Sequence, residues 1–124
     1  MSERFLKIAV TYFVIAIAFG ISMSMSNDDS YKNLHVHLAL LGWASLALAG
    51  LIYRLYPAAS QSKLGSIHFW LHNIGLPIML IGWFFVIGGN IAFGPVIALG
   101  AIITSIGILI FAINVCLNVK SPSR

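Results

Sequence analysis

Charged side chains are scarce in this sequence of 124 residues, since Asp, Glu, Lys and Arg make up 8% of it while 60% of the residues are hydrophobic. Soluble domains carry about 25% charged residues, so the composition excludes an ordinary soluble globule. Only three acidic residues occur, Glu3, Asp28 and Asp29, and none lies within a long apolar run. Hard cations prefer carboxylate ligands, so sites for them are not expected in those runs. A proton relay, which usually includes an acidic group, is disfavoured for the same reason.

Cysteine is nearly absent as well. Cys116 is the only one in the sequence, which excludes an intrachain disulfide and a metal cluster held by several cysteines. It lies in the last apolar run, where we expect it to be a small buried hydrophobic side chain.

Four long apolar runs dominate what is present, at about residues 5–25, 34–56, 66–88 and 91–119. A hydrocarbon core of about 30 Å requires about 20 helical residues, and each run is long enough. The runs are continuous rather than alternating with period 2, which argues against a β-barrel. The first run is too long for a secretory signal and lacks an A-x-A-type cleavage site, so we expect it in the mature chain. The sequence therefore predicts an all-α integral membrane protein with a single four-helix transmembrane domain, residues 1–124.

The basic residues are distributed unevenly between the predicted ends and loops. The first loop holds one lysine beside two acidic residues, and the third loop holds no charge. The other basic residues lie at the two termini and in or beside the second loop: Arg4, Lys7, Arg54, Lys63, Lys120 and Arg124. By the positive-inside rule, both termini face the cytoplasm, as in a bacterial-type inner membrane. The net charge of +4 then reflects topology, and no nucleic-acid partner is expected.

The segment HVHLALLGW, residues 35–43, places His35 and His37 at the outer start of the second predicted helix. Successive helical residues are about 100° apart, so these side chains project about 200° apart with only about 3 Å of rise between them. They cannot chelate one metal ion from a single helix. Either they serve two sites on opposite sides of the helix, or only one of them is functional. Ionisable residues inside a membrane are rare and usually functional, so we interpret the pair as ligands rather than as structural side chains.

A second pair, His68 and His72 in the segment IHFWLHNIG, is spaced i, i+4 and shares one helix face. That spacing can chelate a metal such as copper or zinc. His68 lies so near the predicted inner surface that a structural role is favoured, whereas both roles stay open for His72. Within one chain the two pairs should lie about 15 to 20 Å apart, given a core of about 30 Å. A second metal site at His68 and His72 is therefore a prediction separate from the outer pair.

The kind of ligand can be narrowed from the donor atoms. Neutral imidazole suits zinc, copper and haem iron. A helix with one histidine on each side and wide apolar walls suits a flat hydrophobic macrocycle with axial ligands better than it suits a compact ion. Haem is therefore the first candidate for His35 and His37.

Residues 35–77 resemble part of the catalytic subunit (subunit I) of the haem-copper oxidases, in its helices nine to twelve. The family carries H-x-H at the outer start of helix ten, an aromatic end closing in proline, and an IHFW-type start of helix eleven. The corresponding positions here are His35 and His37, then Tyr53, Tyr56 and Pro57, then 67–70 with Ile74 and Gly75. In that family the two histidines ligate different haems. The resemblance implies that His35 ligates a haem on one side of its helix and His37 a haem on the other, with haem b as cofactor.

The chain departs from the family in having four predicted helices where the catalytic subunit has twelve. The further histidines that complete the low-spin haem site and bind copper have no counterpart here, so complete oxygen reduction is not expected. Copper remains a possible second cofactor. Because the family's twelve helices form three groups of four, the resemblance implies that three copies of this chain form a homotrimer. His35 of one chain would then face His37 of the next and bind one haem across a cyclic interface.

Small residues also share a face on three of the predicted helices, which permits close backbone approach either between chains or within one chain. These residues are Gly20 and Ser24 on the first helix, Gly42, Ser45 and Ala49 on the second, and Gly100, Thr104 and Gly107 on the fourth. They favour helix association without fixing the number of chains.

Three functions follow from these features. The first is a b-type haem protein that exchanges electrons with a redox partner or binds O2 or NO, with two filled axial positions favouring electron transfer. The second is a protein that handles copper or haem without redox catalysis, using His68 and His72. The third is a small transporter or scaffold in which the histidines relay protons. Whether the chain is an enzyme stays open.

Overall fold

The computed structural model describes residues 1–121, and nearly all of that range is helical. Four long helices follow one another: α1 (Ser2–Ser26), α2 (Lys32–Leu55), α3 (Lys63–Ile87) and α4 (Gly94–Asn118). A short helix at Pro57–Gln61 precedes α3, and a 3₁₀ turn at Ile91–Phe93 precedes α4. The four helices are long and apolar enough to cross a membrane, and their ends lie within three residues of the predicted spans. The prediction of an all-α chain with four candidate transmembrane helices is confirmed.

The turns between the helices follow from local sequence. Asn27 ends α1 at φ 53°, in the left-handed region that asparagine enters more readily than most residues. The Ser62 side chain caps α3 by accepting a hydrogen bond from the backbone N–H of Gly65. Gly89, at φ 108°, forms the turn after α3. The chain thereby folds into two antiparallel hairpins, α1 with α2 and α3 with α4.

Helix α2 contains seven π-helical residues, Leu38–Ala44, between two α-helical stretches. In a π-helix each N–H bonds to the carbonyl five residues back rather than four. The Ser45 N–H accordingly bonds to the Leu40 carbonyl. One extra residue is thereby accommodated in the helix directly after His37.

Glycine allows the helices within each hairpin to pack with their backbones close together. A Cβ atom on Gly75 of α3 would lie 2.6 Å from both the backbone N and the Oγ1 of Thr104 on α4. A Cβ on Gly42 of α2 would lie 2.5 Å from the Tyr12 ring on α1. The small-residue faces that contain Gly42 and Thr104 therefore serve packing within the chain, and they lend no support to assembly of several chains.

All four long helices meet around His68, near the end of the bundle that holds both termini, which we call the terminal end. Phe5 of α1 stacks on the His68 ring at a centroid distance of 5.2 Å, and Phe111 of α4 lies 4.6 Å from it. Tyr53 of α2 adds a third ring at 5.8 Å. Phe5, Tyr53 and His68 are at most 1% exposed, so the imidazole is enclosed by aromatic rings from three other helices.

Large apolar side chains cover the outside of the bundle. Ile17, Leu48, Ile81 and Leu109, one from each long helix, are 46–60% exposed. So much exposed apolar surface is typical of a protein in a lipid bilayer, and with the four long helices it indicates a membrane protein.

Cys116 is exposed as well. The prediction that it is buried is wrong, because its side of α4 points away from the other helices.

Candidate functional site

His35 and His37 lie on opposite sides of α2, at the end of the bundle opposite the terminal end, which we call the distal end. The His35 ring packs on α1, where a Cβ atom on Gly20 would lie 3.2 Å from its Cε1. The His37 ring meets Trp83 of α3 at a right angle, with centroids 4.4 Å apart and planes inclined at 87°. One chain therefore presents two separate positions with one histidine each, and the small-residue face at Gly20 is occupied within the chain.

The tautomer of His37 is determined by a backbone carbonyl. Its Nδ1 lies 2.9 Å from the Asn33 carbonyl oxygen, which can only accept, so Nδ1 carries the hydrogen and donates it. In the neutral ring, Nε2 then keeps a free lone pair. Histidines that bind metals commonly donate their other ring N–H to a carbonyl in this way, which fixes both the tautomer and the ring orientation. In His37, Nε2 is thus the ring nitrogen whose lone pair is free for a ligand.

His35 lacks such support. Its Nδ1 is buried and has no hydrogen-bond partner among residues 1–121. A buried polar atom without a partner costs about 1–3 kcal/mol, so it requires a specific explanation. Close packing of the ring on Gly20 accounts for the burial. The His35 ring therefore has less hydrogen-bond support than the His37 ring.

A chain of hydrogen bonds runs through the core from the Tyr53 side chain of α2, through two histidines of α3, to a backbone carbonyl of α2. The Tyr53 hydroxyl lies 2.8 Å from His68 Nδ1, and His68 Nε2 lies 3.2 Å from His72 Nδ1. His72 Nε2 in turn lies 3.0 Å from the Leu41 carbonyl oxygen. The two histidines are at most 1% exposed. All four of their ring nitrogens are thereby engaged in hydrogen bonds.

The direction of each bond in this chain follows from its last acceptor. A charged imidazole would be costly in this apolar core without a carboxylate beside it, so both rings are neutral. The Leu41 carbonyl only accepts, and His72 therefore donates from Nε2 and accepts at Nδ1. His68 must then donate from Nε2 and accept at Nδ1, where the Tyr53 hydroxyl is the donor. All three bonds point from the Tyr53 hydroxyl towards the Leu41 carbonyl.

Asn114 of α4 completes the chain at the terminal end. It is fully buried, and its Nδ2 donates to the Tyr53 hydroxyl oxygen at 3.4 Å and to the Ala59 carbonyl at 3.0 Å. Its Oδ1 accepts from the Asn118 amide at 2.7 Å and from the Ser62 hydroxyl at 3.0 Å. Sequence reasoning missed Asn114, although an amide within an apolar run is itself a signal of hydrogen bonding between membrane helices.

These hydrogen bonds change the interpretation of His68 and His72 as a possible metal site. His68 lies near the terminal end and is enclosed by aromatic rings. His72 reaches the carbonyl of Leu41, which follows His37 by four residues on α2. For both facing nitrogens of His68 and His72 to bind one metal ion, the hydrogen between them would have to leave. Among residues 1–121, no group of three or more His, Cys, Asp or Glu is placed to hold a metal ion.

Two cavities flank α2. An apolar groove of about 310 Å³ lies in the distal half between α1, α2 and α3, with Tyr12, Phe19, Leu34, Leu38, Pro77 and Phe84 among its walls. A cavity of about 200 Å³ lies beside His68 and His72, between α2, α3 and α4. Sites for small molecules usually occupy about 300–1,000 Å³. Neither cavity alone encloses a cofactor the size of haem.

Comparison of the chain with protein-family models, with curated proteins and with solved structures finds no match. The resemblance of residues 35–77 to the haem-copper oxidase subunit therefore stays a prediction. The case for a function rests on the geometry of the histidines.

Proposed function

We propose that this chain is a membrane-bound b-type haem protein in which His37 is an axial ligand, and that it transfers electrons or binds O2 or NO. The observation that carries the proposal is the hydrogen bond from His37 Nδ1 to the Asn33 carbonyl, which leaves Nε2 as the ligating atom. The Trp83 ring beside His37 supplies one apolar wall of the kind that a flat hydrophobic cofactor needs. Haem supplies one-electron redox chemistry and, where an axial position is vacant, a binding site for a diatomic gas.

The proposal includes a homotrimer. His35 and His37 of one chain point to opposite sides of α2, so a haem with two histidine ligands must take them from different chains. In a ring of three chains, His35 of each chain would face His37 of the next. The unpaired Nδ1 of His35 makes this residue the weaker ligand of the two. A haem held by His37 alone would keep one axial position for a gas.

The proposal also assigns the terminal end of the bundle to the cytoplasm of a bacterial-type inner membrane. Its basis is the concentration of basic residues at the termini and the second loop. His35 and His37 then lie towards the outer surface. If the function is electron transfer, a redox partner is part of the proposal.

The test is the visible spectrum and the pyridine-haemochrome content of the purified protein, for the wild type, His37→Ala and Val36→Ala. Val36 lies between the two histidines and is 44% exposed, so its truncation is the matched control. We expect His37→Ala to lose haem by about 10-fold or more, and Val36→Ala to keep it. A colourless wild type, or full haem content in His37→Ala, would contradict the proposal.

His35→Ala and carbon monoxide then define the coordination. If both histidines are ligands, His35→Ala also loses haem, and carbon monoxide changes the spectrum of the reduced wild type little because both axial positions are filled. If His37 is the single ligand, His35→Ala keeps its haem and carbon monoxide produces a clear spectral change.

The buried chain from Asn114 to Leu41 favours a second candidate, a small transporter or scaffold. Hydrogen-bonded polar groups deep in a membrane span are costly and often functional. This candidate predicts a colourless protein that is destabilised by His68→Ala and is unaffected by His37→Ala. Copper handling by His68 and His72 predicts stoichiometric copper that persists in His37→Ala, which metal analysis of the same samples would detect.

A further inference from the structure

We propose that His72 is a positioning residue that holds α2 in its π-helical form and thereby sets the directions in which His35 and His37 point. Its meaning for haem binding rests on the proposed function above. The structural claim stands on the hydrogen bonds of α2 and α3 alone.

The π-helix leaves one backbone carbonyl of α2 without a helical N–H. The Ser45 N–H still bonds five residues back, to the Leu40 carbonyl. From Ser45 onward the helix is α-helical, so the next N–H, that of Leu46, pairs four residues back. Because the spacing changes from five residues to four at this point, no backbone N–H of α2 bonds to the Leu41 carbonyl. This is the oxygen that accepts the hydrogen bond from His72 Nε2 at 3.0 Å.

The extra residue determines which side chains face the neighbouring helices. Each helical residue turns the chain by about 100°, so a regular α-helix would rotate the first part of α2 by about 100° relative to the rest. Leu38 would then take the position against Trp83 that His37 now occupies. His37 would point where Val36 now points, towards the outside of the bundle. The candidate ligand would be turned away from its site.

The hydrogen bond from His72 stabilises the irregular helix because it satisfies the skipped carbonyl. An unpaired carbonyl in this apolar core is unfavourable, whereas a regular α-helix would leave none unpaired in this segment. His68 supports the contact by donating to His72 Nδ1, which keeps the hydrogen of His72 on Nε2, facing Leu41. Tyr53 in turn donates to His68. Side chains at the terminal end thereby maintain the orientation of histidines at the distal end.

Solid-state NMR of the isotope-labelled protein in lipid bilayers tests this inference without requiring haem. In the wild type we expect ring contacts between His37 and Trp83, and between His35 and Gly20. His72→Leu removes the donor and should abolish both contacts. His72→Gln should restore them, because the Gln amide can donate to the Leu41 carbonyl.

Asn73→Leu is the matched control. It removes a polar side chain from the next position of α3, but the Asn73 amide bonds to the Phe69 carbonyl of its own helix and leaves α2 untouched. We expect both histidine contacts to survive in this variant. Their survival in His72→Leu as well would overturn the inference, and so would their loss in Asn73→Leu.

The wild-type protein decides the question if His72→Leu does not fold. The inference requires His72 to carry its hydrogen on Nε2 and a lone pair on Nδ1, and the two ¹⁵N shifts distinguish these states. The opposite tautomer would overturn it. A wild type that shows the predicted contacts and tautomer but contains no haem would remove the proposed function and leave this inference intact.

Discussion

His37 and His72 each donate one ring N–H to a backbone carbonyl, that of Asn33 and that of Leu41 respectively. They differ at the second nitrogen, because His72 Nδ1 accepts from His68 whereas His37 Nε2 keeps its lone pair. A metal or haem ligand needs such a lone pair. At the scale of the residue, the i, i+4 spacing predicted a chelating pair at His68 and His72. It could not reveal their bonds to Tyr53 and Leu41, because those partners come from a different helix.

Tyr53→Phe tests the contribution of the hydrogen bond between Tyr53 and His68 to stability. Without the hydroxyl, His68 Nδ1 becomes a buried acceptor with no donor, and we expect the free energy of unfolding to fall by about 1–3 kcal/mol. Tyr56→Phe is the control, since Tyr56 is 36% exposed near the end of the same helix and should change stability by less than about 0.5 kcal/mol. Unfolding in mixed micelles, followed by circular dichroism, gives both values. Equal stability of the two variants would show that Tyr53 is not the donor to His68.

At the scale of the helix, sequence and structure agree where local chemistry decides the result. The apolar runs predicted four helices at the right positions, because the length of such a run is a property of the chain alone. The π-helix at Leu38–Ala44 was not predicted, because its Leu41 carbonyl is satisfied from α3. The small-residue faces were recognised, but their partners within the chain depend on how the hairpins fold.

Gly75→Ala tests the close approach of α3 and α4. The added methyl group would lie 2.6 Å from the Thr104 backbone N, so the helices would have to separate, at a cost of about 1–3 kcal/mol. We expect a Tm lower by several degrees in a thermal scan. Gly94→Ala is the control, because a Cβ there meets nothing within 4 Å. If both variants melt with the wild type, the α3–α4 contact is looser than described.

At the scale of the whole molecule, the four helices bury a core of aromatic and polar groups near the terminal end and leave extensive apolar surface outside. Composition was sufficient to predict a membrane protein with four candidate spans. The number of chains was inferred only from the resemblance to a twelve-helix subunit. The packing of Gly20, Gly42 and Thr104 within the chain removes one argument for assembly. The opposed directions of His35 and His37 supply another argument for assembly if both histidines ligate the same haem.

Native mass spectrometry in detergent tests the assembly. We expect a particle of three 13.5 kDa chains with up to three haems, and dissociation of the trimer when His35 and His37 are both replaced by alanine. Val36→Ala, on the outside of α2, should keep the trimer. A monomer that retains haem would contradict the trimer and preserve the haem site, whereas a haem-free monomer would contradict both.

The extra residue in α2 also affects how the helix meets the surrounding lipid. Leu40 and Leu48 are 58% and 59% exposed, and Leu55 at the far end is 71% exposed. In a regular α-helix, Leu40 and Leu48 would point about 80° apart, and the extra π-helical residue reduces this angle to about 20°. Leu40, Leu48 and Leu55 therefore point in similar directions along α2. The irregularity of α2 that sets the directions of His35 and His37 thus also aligns three exposed leucines of the same helix.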